Sequence, residues 1–302
     1  MRIHQLAPLA LCLACACSGR PSATGTGGDG GATGHAIGDD GHGNYTITLD
    51  PFVVAPGEER YACQDFANPF GGGAAAIHRF ASHLTPGSHH LLLFYEPGAV
   101  DAPLAACSGS EFAPGPYGSQ RPDDALVYPD GVAAVVAPSD GFRVQAHYLN
   151  ATAAPLSVTV TIQLARIDES AVRDRAAVLF FSNGAIDVPP GAAGVVAQKS
   201  CTLPFAVNLL QATGHMHQHG RAFTATAAGA TIFSSSAYSD VAPALFAPPL
   251  ALPAGTVVTF ACTYDNSDGT APLRFGDSAR TDEMCIFSAQ FFPAPFGGWT
   301  CL

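Results

Sequence analysis

The sequence predicts an all-β protein, built as two tandem antiparallel β-sandwiches of jelly-roll type with a cleft between them. Apolar residues make up 48% of the chain and charged residues only 12%, a composition typical of short buried strands rather than long amphipathic helices. The 32 glycines and 24 prolines break the chain into short alternating runs, as turns between antiparallel strands do. A length of 302 residues is sufficient for two such domains.

Residues 1–17 predict an export signal, because Arg2 supplies a positive charge and a short apolar segment ends in small residues. Ala16-Cys17 followed by Ser-Gly is similar to a bacterial lipoprotein cleavage site, which makes Cys17 the candidate lipidated residue. Cleavage before Cys15 and plain secretion are the alternatives. We therefore expect an exported protein, either a periplasmic or cell-surface lipoprotein or a secreted one. Since no apolar run reaches the roughly 18 residues of a membrane span, a lipid anchor would be its only membrane attachment.

The remaining chain divides into a tether and two predicted domains. Residues 18–43 are mostly Gly, Ser, Thr, Ala and Asp and predict a flexible linker. The N-terminal sandwich is predicted at 44–168 and the C-terminal sandwich at 169–302, with the charged stretch 165–176 as the bridge between them. Alternating or apolar runs predict strands at 45–49, 91–94, 143–149, 156–164, 178–181, 194–197, 256–262 and 286–292.

The two predicted domains share a sequence pattern. In each, a Pro-Gly turn, at Pro56-Gly57 and at Pro190-Gly191, precedes a cysteine and then a histidine cluster. Later in each half, Tyr148-Leu149-Asn150 matches Tyr264-Asp265-Asn266. This pattern indicates two similar sandwiches in tandem.

Charge and cysteine content limit the function classes. The net charge is -11 and Lys199 is the single lysine, which argues against a nucleic-acid partner or an anionic membrane surface. Six cysteines follow the export signal, and an even number in an exported protein favours disulfides over thiol chemistry or metal ligation. These cysteines are Cys63, Cys107, Cys201, Cys262, Cys285 and Cys301.

Three histidines alternate in the segment Gly214-His215-Met216-His217-Gln218-His219-Gly220. If this segment is a strand, all three imidazoles point to one face, with neighbours about 6.6 Å apart, and two of them could bind one ion. A polar strand face with solvated histidines is the alternative explanation. The choice depends on whether the chain supplies further ligands.

Further candidate ligands lie elsewhere in both halves. His89 and His90 are adjacent, so both can bind one ion only at a turn or strand end, and a buried histidine pair is the alternative. His147 alternates with Arg143 and Gln145 and is compatible with a ligand or with solvent exposure. Met284 is one of only three methionines, and thioether ligands select copper over zinc.

Taken together, these motifs resemble the copper type II, ascorbate-dependent monooxygenases, the family of the peptidylglycine alpha-hydroxylating and dopamine beta-monooxygenases. The resemblance extends over residues 45–302, and the ordered series is far more specific than any one motif. The motifs are His89-His90-Leu91-Leu92-Leu93-Phe94, His147-Tyr148, His215-Met216-His217 and Asp282-Glu283-Met284-Cys285.

The resemblance implies two coppers per chain, one on each sandwich, facing a cleft. His89, His90 and His147 would bind the electron-transfer copper, and His215, His217 and Met284 the oxygen-binding copper. The implied reaction inserts one atom of O2 into a C–H bond of a small organic substrate, with ascorbate or another one-electron donor as reductant. A mixed nitrogen and thioether ligand set stabilises Cu(I), which must form before O2 reacts. His219 has no counterpart in the family pattern and is expected outside the ligand set.

The resemblance also implies three disulfides, Cys63–Cys107, Cys201–Cys301 and Cys262–Cys285, whereas two further bridges of the animal members are absent. Peptide-hydroxylating members have an arginine at the position of Thr213, where it holds the substrate carboxylate. The substrate-contacting positions after Met-Cys are Ile286, Ser288 and Gln290 in this chain. Because these residues are uncharged, we expect a small uncharged or apolar substrate rather than a peptide carboxylate.

Two other functions are compatible with parts of the pattern. A non-catalytic copper-binding or surface interaction protein could keep the same scaffold, although retention of all six ligands favours activity. A zinc hydrolase would require a general-base carboxylate, for which Glu283 is the one suitably placed residue, and would leave Met284 unexplained. Asp265-Asn266-Ser267-Asp268-Gly269 resembles part of a calcium loop but lacks the terminal glutamate, so we expect a hairpin loop there. The sequence does not specify the oligomeric state.

Overall fold

The protein is described from a computed structural model, over residues 36–109, 115–295 and 297–302. The predicted all-β class is confirmed, since these residues form mainly antiparallel sheets, with short parallel pairings at their edges, and one short 3-10 helix, η1, at Glu169–Ala171. The predicted export signal at 1–17, with Cys15 and Cys17, lies outside the described residues.

The first half of the chain contributes thirteen strands to the fold. They are β1 (Ala36–Asp39), β2 (Asn44–Thr48), β3 (Phe52–Val54), β4 (Glu59–Phe66), β5 (Ala75–Leu84), β6 (Ser88–Pro97), β7 (Ala105–Ala106), β8 (Tyr117–Ser119), β9 (Asp123–Val127), β10 (Val132–Val136), β11 (Asp140–Leu149), β12 (Leu156–Val158) and β13 (Val160–Ile167).

The second half contributes the remaining twelve strands. They are β14 (Asp174–Arg175), β15 (Ala177–Ser182), β16 (Asp187–Val188), β17 (Ala193–Thr202), β18 (Val207–His215), β19 (Gly220–Ala227), β20 (Ala230–Ser235), β21 (Ala244–Leu252), β22 (Val257–Asp265), β23 (Leu273–Arg274), β24 (Ile286–Phe292) and β25 (Trp299–Cys301).

Two sheets enclose a hydrophobic core in the first half. One sheet has the order β1-β2-β13-β5-β10-β14, with β9 also paired to β5, and the other has the order β7-β4-β11-β6-β8. Ile47 and Ile162 reach the core from the first sheet, and Leu91 and Val144 reach it from the second. The strands alternate buried and exposed residues, as expected when one face of each sheet packs on a core.

A second pair of sheets encloses a second core. Their orders are β21-β18-β24-β15-β25 and β17-β22-β19-β20. Leu209 and Phe287 reach this core from one sheet, and Phe223 and Phe260 from the other. The Phe260 ring stacks near both Phe223 and Phe287, with 6.3 Å between ring centroids in each case. Aromatic rings of this size supply much of the buried apolar area.

The two halves repeat one local arrangement around a buried asparagine. The Asn150 carbonyl accepts a hydrogen bond from the Gly57 N–H at 2.8 Å, and the Asn266 carbonyl accepts one from the Gly191 N–H at 2.9 Å. Each asparagine also donates from Nδ2 to the carbonyl three residues before that glycine, at 3.0 Å and 3.1 Å. The two-stranded pairs β3·β12 and β16·β23 lie beside these asparagines in each half. The hairpin expected at residues 265–269 is not found, because β22 pairs with β17 and β19 whereas β23 pairs with β16. The segment is a loop that connects two sheets, and its asparagine ties it to the Pro-Gly turn.

Contacts between the halves are extensive enough that residues 33–302 form a single compact unit. The molecule thus has two cores within one unit. The first core also includes Ala176 and Leu210, so side chains from beyond the predicted boundary at residue 168 complete it.

Two predicted boundaries need correction. The end of the predicted linker at 18–43 is not a free tether, because β1 pairs in register with β2 and the Asp40 carboxylate accepts backbone hydrogen bonds from His42 and Asn44. The predicted bridge at 165–176 begins inside strand β13 and then continues through η1 into β14, which pairs with β10. Backbone pairing rather than charge content determines where these segments end.

The structure contains the three disulfides that the family resemblance implies. Cys63–Cys107 closes 44 residues, Cys201–Cys301 closes 100 residues and Cys262–Cys285 closes 23 residues. Bridges that close loops of this size typically stabilise a domain by about 2–5 kcal/mol. Three disulfides indicate an oxidising environment, extracellular or periplasmic. Among the described residues, no helix is long and apolar enough to cross a membrane.

Candidate metal centre

His89 and His90 lie at the start of β6, next to an irregularity in the sheet. On β11, His147 is opposite His90 but Tyr148 is opposite Ser88, so His89 is the extra residue of a β-bulge. A bulge places two consecutive residues opposite one partner and redirects a side chain, which lets both imidazoles reach the same site. The strand end that the sequence required is present, and both rings are buried.

His147 lies near the C-terminal end of β11 and is completely buried, with 0% of its surface exposed. This excludes the solvent-exposed alternative. The Tyr61 ring, on the neighbouring strand β4, stacks on the imidazole with 3.7 Å between centroids and 15° between planes. The Tyr61 hydroxyl in turn donates to the Asp277 carbonyl at 2.7 Å. The ring of His147 is therefore held on one face by an aromatic side chain whose position is itself fixed.

The histidine triplet is not a strand along its whole length. Strand β18 ends at His215, and the chain then turns before β19 begins at Gly220. The same-face argument for three alternating histidines is therefore wrong for this segment. Instead, His215 leaves from the strand end and His217 from the turn, and both approach the histidines of the first half.

The five histidines form one continuous cluster. His89, His90 and His147 make one group with metal-ligating geometry, and His89, His215 and His217 make another, with all ring nitrogens offered in each group within 4.8 Å of one another. The His89 ring lies 4.7 Å from the His215 ring and 5.0 Å from the His147 ring, measured between centroids. The two predicted ligand groups therefore meet at His89 and do not face each other across an open cleft.

Hydrogen bonds between the halves explain why the two groups meet. Gln120 of the first half reaches the strand that carries His215, and the loop before Met284 reaches back to Glu59. The contacts are Gln120 Nε2 to Gly214 O (2.9 Å), Tyr61 OH to Asp277 O (2.7 Å), Ser278 Oγ to Glu59 Oε2 (2.7 Å), Ala279 N to Glu59 Oε1 (2.5 Å) and Tyr128 OH to Gln290 Oε1 (3.1 Å). These bonds close the interface around the cluster.

Every histidine of the cluster has a buried ring nitrogen without a hydrogen-bond partner among the described residues. The atoms are His89 Nε2, His90 Nδ1, His147 Nδ1, His215 Nε2 and His217 Nε2. Buried polar atoms are rarely left unpaired, because each costs about 1–3 kcal/mol of folding free energy. Five such atoms in two adjoining groups fit a metal centre, since bound metal ions would satisfy them.

The opposite ring nitrogens of four histidines are hydrogen-bonded, which fixes their tautomers. His147 Nε2 donates to the Glu59 carboxylate at 2.9 Å, and His217 Nδ1 donates to the Asp282 carbonyl at 3.2 Å. The remaining two, His90 and His215, are held by the amides of Gln145 and Gln120. Metal-ligating histidines typically have such an outer partner, which orients the ring and leaves the other nitrogen as the ligand.

The glutamine orientations follow from their other bonds. Gln145 Nε2 donates to the Ser108 carbonyl at 3.0 Å, so Gln145 Oε1 faces His90 Nε2 at 3.3 Å and accepts its proton. Likewise Gln120 Nε2 donates to Gly214, so Gln120 Oε1 accepts from His215 Nδ1 at 2.8 Å. In each case the free lone pair lies on the nitrogen that has no partner.

Burial keeps the cluster uncharged. Burial lowers the pKa of His90 to about 4, and burial together with the neighbouring histidines lowers the pKa of His89 and His215 well below the usual value. The pKa of His147 is lowered well below its usual value for the same reason, and that of His217 is lowered, again chiefly by burial. Neutral imidazole is the form that binds metal, so the cluster is in its ligating state at neutral pH.

Met284 lies just before β24 and lines the same cavity as His90 and His215. Its side chain is buried, and its carbonyl accepts a hydrogen bond from the Tyr264 hydroxyl at 2.8 Å. The adjacent Cys285 is bonded to Cys262. The segment that carries the thioether is thus fixed to β22 at Met284 itself and at the next residue, Cys285.

Glu283 fixes the His215–His219 turn from the other side. Its carboxylate accepts hydrogen bonds from the backbone N–H groups of His217, at 3.0 Å, and His219, at 2.7 Å. Burial raises the pKa of Glu283 to about 7, although these hydrogen bonds act in the opposite direction. The His219 ring contacts the Arg280 carbonyl and Gln218 and is not part of either ligand group, as expected.

A cavity of about 380 Å³ adjoins the cluster. Thr213, Ile286, Ser288 and Gln290, the positions predicted to contact substrate, all line it together with Met284. No lysine or arginine is found among the described residues of the lining. Volume and composition are those of a site for a small, largely apolar molecule.

Several residues that hold the cluster were not identified from the sequence. Gln145 could have been, because it lies two residues before His147 and so shares its face of the strand. Glu59 and Gln120 carry no local signal, since each is distant in sequence from the histidine that it contacts. Only the folded chain brings them together.

Comparisons with known proteins do not assign a family. No family model matches the chain, and no curated protein matches its sequence. Among solved structures, PNGase F, a glycosylasparaginase from Flavobacterium meningosepticum, is 13% identical, with 84% of this chain and 98% of that chain covered and a TM-score of 0.38. The major capsid protein P2 from bacteriophage PM2 is 6% identical, with 84% and 99% covered and a TM-score of 0.32. Likenesses at this level carry no functional argument, so any assignment depends on the site itself.

Proposed function

We propose that this protein is an exported dicopper monooxygenase that hydroxylates a C–H bond of a small organic substrate, using O2 and a one-electron donor such as ascorbate. His89, His90 and His147 would hold the electron-transfer copper. His215, His217 and Met284 would hold the oxygen-binding copper. This assignment keeps the ligand roles that the family resemblance implies.

The observation that carries the proposal is the set of five unpartnered, buried imidazole nitrogens beside a cavity that Met284 also lines. Zinc or a structural role would account for the imidazoles but not for a thioether at the same cavity. Nitrogen and thioether ligands together favour copper, Cu(I) in particular. The buried disulfide next to Met284 makes thiolate ligation unavailable there.

The protein's own residues would orient the ligand rings, exclude water from them and admit the substrate. Glu59, Gln145 and Gln120 hold the rings of His147, His90 and His215 so that one lone pair of each points to the site. The burial that lowers the histidine pKa values also excludes bulk water from the ligands. The cavity admits an apolar substrate directly beside His90, His215 and Met284.

Bound copper would supply the two electrons, one from each ion, that reduce O2 while one oxygen atom enters the C–H bond and the other leaves as water. The net reaction consumes the substrate C–H bond, O2, two electrons and two protons. The reductant then restores both ions. Because the lining lacks a cationic side chain among its described residues, a carboxylate substrate is disfavoured.

Copper analysis and oxygen uptake test the proposal. The intact, disulfide-bonded protein should bind about two coppers per chain and consume oxygen in the presence of ascorbate and a turned-over substrate. Met284→Ile should abolish oxygen consumption while copper remains bound through His89, His90 and His147. Met216→Leu is the matched control, because Met216 is buried in the second core and a Met to Leu change typically costs less than about 1.5 kcal/mol.

Three other results would contradict the proposed function in whole or in part. Two bound coppers with no reductant-dependent oxygen uptake across a broad substrate screen would favour a non-catalytic copper-binding or surface interaction protein. Failure to bind copper at all would remove both functions. Oxygen uptake that persists in Met284→Ile would exclude the thioether from the reacting site.

The proposal includes export. The three disulfides support an extracellular or periplasmic location, and the sequence of residues 1–17 supports a signal peptide with Cys17 as a lipidation site. Mass spectrometry of the mature protein from a bacterial host would test this. A mature chain that begins with diacylglyceryl-Cys17 supports the lipoprotein, whereas an unmodified later N-terminus indicates secretion.

A further inference from the structure

One wall of the cavity carries a row of polar side chains that leads away from the metal ligands. His215, Thr213 and Gln211 alternate along β18 and line the cavity together, as same-face residues of a strand do. Four residues of strand span about 13 Å, so Gln211 lies about that far from His215 along the sheet. The row therefore has a metal-ligating end and a distal end.

Gln211 occupies the distal end and has an unused amide. Gln211 is only 9% exposed and lines the cavity, and its amide makes no hydrogen bond to a side chain or backbone group among the described residues. The amide atoms are not among the fully buried unpartnered atoms, so they are open to the cavity, where a ligand can pair with them. An amide offers both a donor and an acceptor, and its best partner has both as well.

The other two amide side chains among the described residues of the lining, Gln290 and Gln120, are already engaged. Gln290, directly opposite Gln211 on β24, accepts from the Tyr128 hydroxyl and donates to the Pro116 carbonyl at 2.9 Å. Gln120 is engaged with His215 and Gly214. Gln211 is thus the amide that is left to recognise a ligand.

The apolar walls and the charge of the cavity further restrict the class of ligand that it can bind. The walls beside the polar row are apolar and are formed by Leu92, Phe94, Val178 and Phe180. Asp124 is the acidic side chain among the described residues of the lining, and it accepts hydrogen bonds from the Ser119 hydroxyl at 2.9 Å and the Ala125 N–H at 2.9 Å. A carboxylate in the lining, with no cation among its described residues, repels anionic ligands.

We propose that the cavity binds an elongated, electrically neutral molecule whose polar end, a carboxamide or a group that likewise donates and accepts, pairs with Gln211. The apolar chain of this molecule runs between the apolar walls toward His215 and Met284. The inference builds on the proposed monooxygenase function, because it places the far end of the chain at the metal ligands. It names the substrate class of that site.

Binding to the metal-free, full-length protein tests the subsite without any turnover. Three series of equal chain length should be compared by calorimetry near neutral pH: linear alkanamides, alkanoates and alkylamines. Alkanamides should bind most tightly, and their affinity should rise about fourfold per added methylene, the equivalent of about 0.8 kcal/mol, until the chain fills the cavity. Tighter binding of alkylamines would assign recognition to Asp124 instead and overturn the proposal.

Gln211→Leu keeps the size of the side chain and removes the amide. We expect alkanamide affinity to fall about tenfold or more, while the thermal midpoint of the ligand-free protein stays about the same, because the amide has no hydrogen bond among the described residues to lose. Gln198→Leu is the control, since Gln198 is exposed on β17 and outside the cavity. Unchanged alkanamide affinity in Gln211→Leu would overturn the subsite.

The two proposals fail in different ways. Selective alkanamide binding by a protein that takes up no copper would support the Gln211 subsite and refute the monooxygenase. Copper binding and oxygen uptake with no preference for alkanamides over alkanoates would support the monooxygenase and refute the Gln211 subsite.

Discussion

At the scale of single residues, the candidate centre depends on which nitrogen of each imidazole carries the proton. A carboxylate, a carbonyl and two amide oxygens each accept from one ring nitrogen, and the other nitrogen is left with a lone pair. The orienting group is in two cases supported by the opposite half of the molecule. Glu59 accepts from Ser278 and Ala279, and Gln120 donates to Gly214. The same hydrogen bonds therefore fix the orientation of the ligand rings and hold the two halves together.

Glu59 provides the sharpest residue-scale prediction. Glu59→Ala removes the acceptor of His147 Nε2 and leaves the Ser278 and Ala279 donors unsatisfied, so His147 loses its fixed tautomer. We expect copper affinity at the His89, His90 and His147 group to fall about 10–100-fold, the usual effect of losing such an outer partner. A titration against a competing chelator measures it. Glu58→Ala is the control, because Glu58 contacts the turn at Ala55 and no histidine; equal losses in both variants would contradict the role given to Glu59.

At the scale of elements, a β-bulge and a turn between two sheets place the ligands. The bulge at His89 directs two consecutive side chains to one site, and the turn that leads from β18 in one sheet to β19 in the other brings His215 and His217 toward them. Both features are departures from regular pairing. Regular strands would have sent His89 and His90 to opposite faces.

The β18–β19 turn depends on two glycines. A Cβ on Gly214 would lie 2.5 Å from the Phe223 ring, and one on Gly220 would lie 2.7 Å from the Met216 Cβ. Neither distance is tolerated without movement of buried groups. The repeated glycines of the Gly214–Gly220 segment are thus explained by close packing against the second core.

Gly214→Ala should therefore destabilise the metal-free protein by about 1–3 kcal/mol, the typical cost of overpacking, and weaken copper binding at His215 and His217. Denaturant unfolding and copper titration measure the two effects. Gly184→Ala is the control, because a Cβ there meets no atom within 4 Å and the backbone is not left-handed. A Gly214→Ala protein as stable as the Gly184→Ala protein would show that Phe223 moves aside at no cost.

The sequence predicted the strands better than it predicted the site. Alternating or apolar runs identified β11, β13 and β24, and that signal is local. The predicted strand at 156–164 is divided into β12 and β13, and only β13 has a clear single buried face, since β11 and β24 are buried along most of their length. The same rule failed for the histidine triplet, since the strand ends at His215 and Glu283 then binds the N–H groups of His217 and His219. Glu283 is 66 residues from His217, and no local pattern reports a contact of that range.

At the scale of the whole molecule, two cores are joined into one unit by the histidine cluster and the bonds around it. Each half has the same Pro-Gly and asparagine arrangement and the same two-stranded pair beside it. The histidines come from strand ends and turns at the contact between the halves rather than from either core. His89 belongs to both ligand groups, so it links the two parts of the centre.

A shared centre predicts that copper stabilises both halves together. At a free copper concentration of about 100 times Kd, the stabilisation should be about 2.7 kcal/mol per site, which raises the unfolding midpoint of a protein of this size by roughly 5–10 °C. Trp299, the single tryptophan, reports the second half by fluorescence, and hydrogen exchange in β5 and β11 reports the first. The unfolding transitions that the two probes report should both shift to the same higher temperature when copper is added.

His89→Ala tests whether the joint stabilisation of the two halves by copper depends on the shared ligand, His89. This variant should lose more than half of the copper-induced shift and separate the transitions of Trp299 and of the first-half strands, because His89 contacts histidines of both halves. His83→Ala is the matched control, since His83 is exposed and bonded to Asp123 away from the cluster. If copper still raises both transitions equally in His89→Ala, each half binds its ion independently and the continuity of the cluster has no energetic consequence.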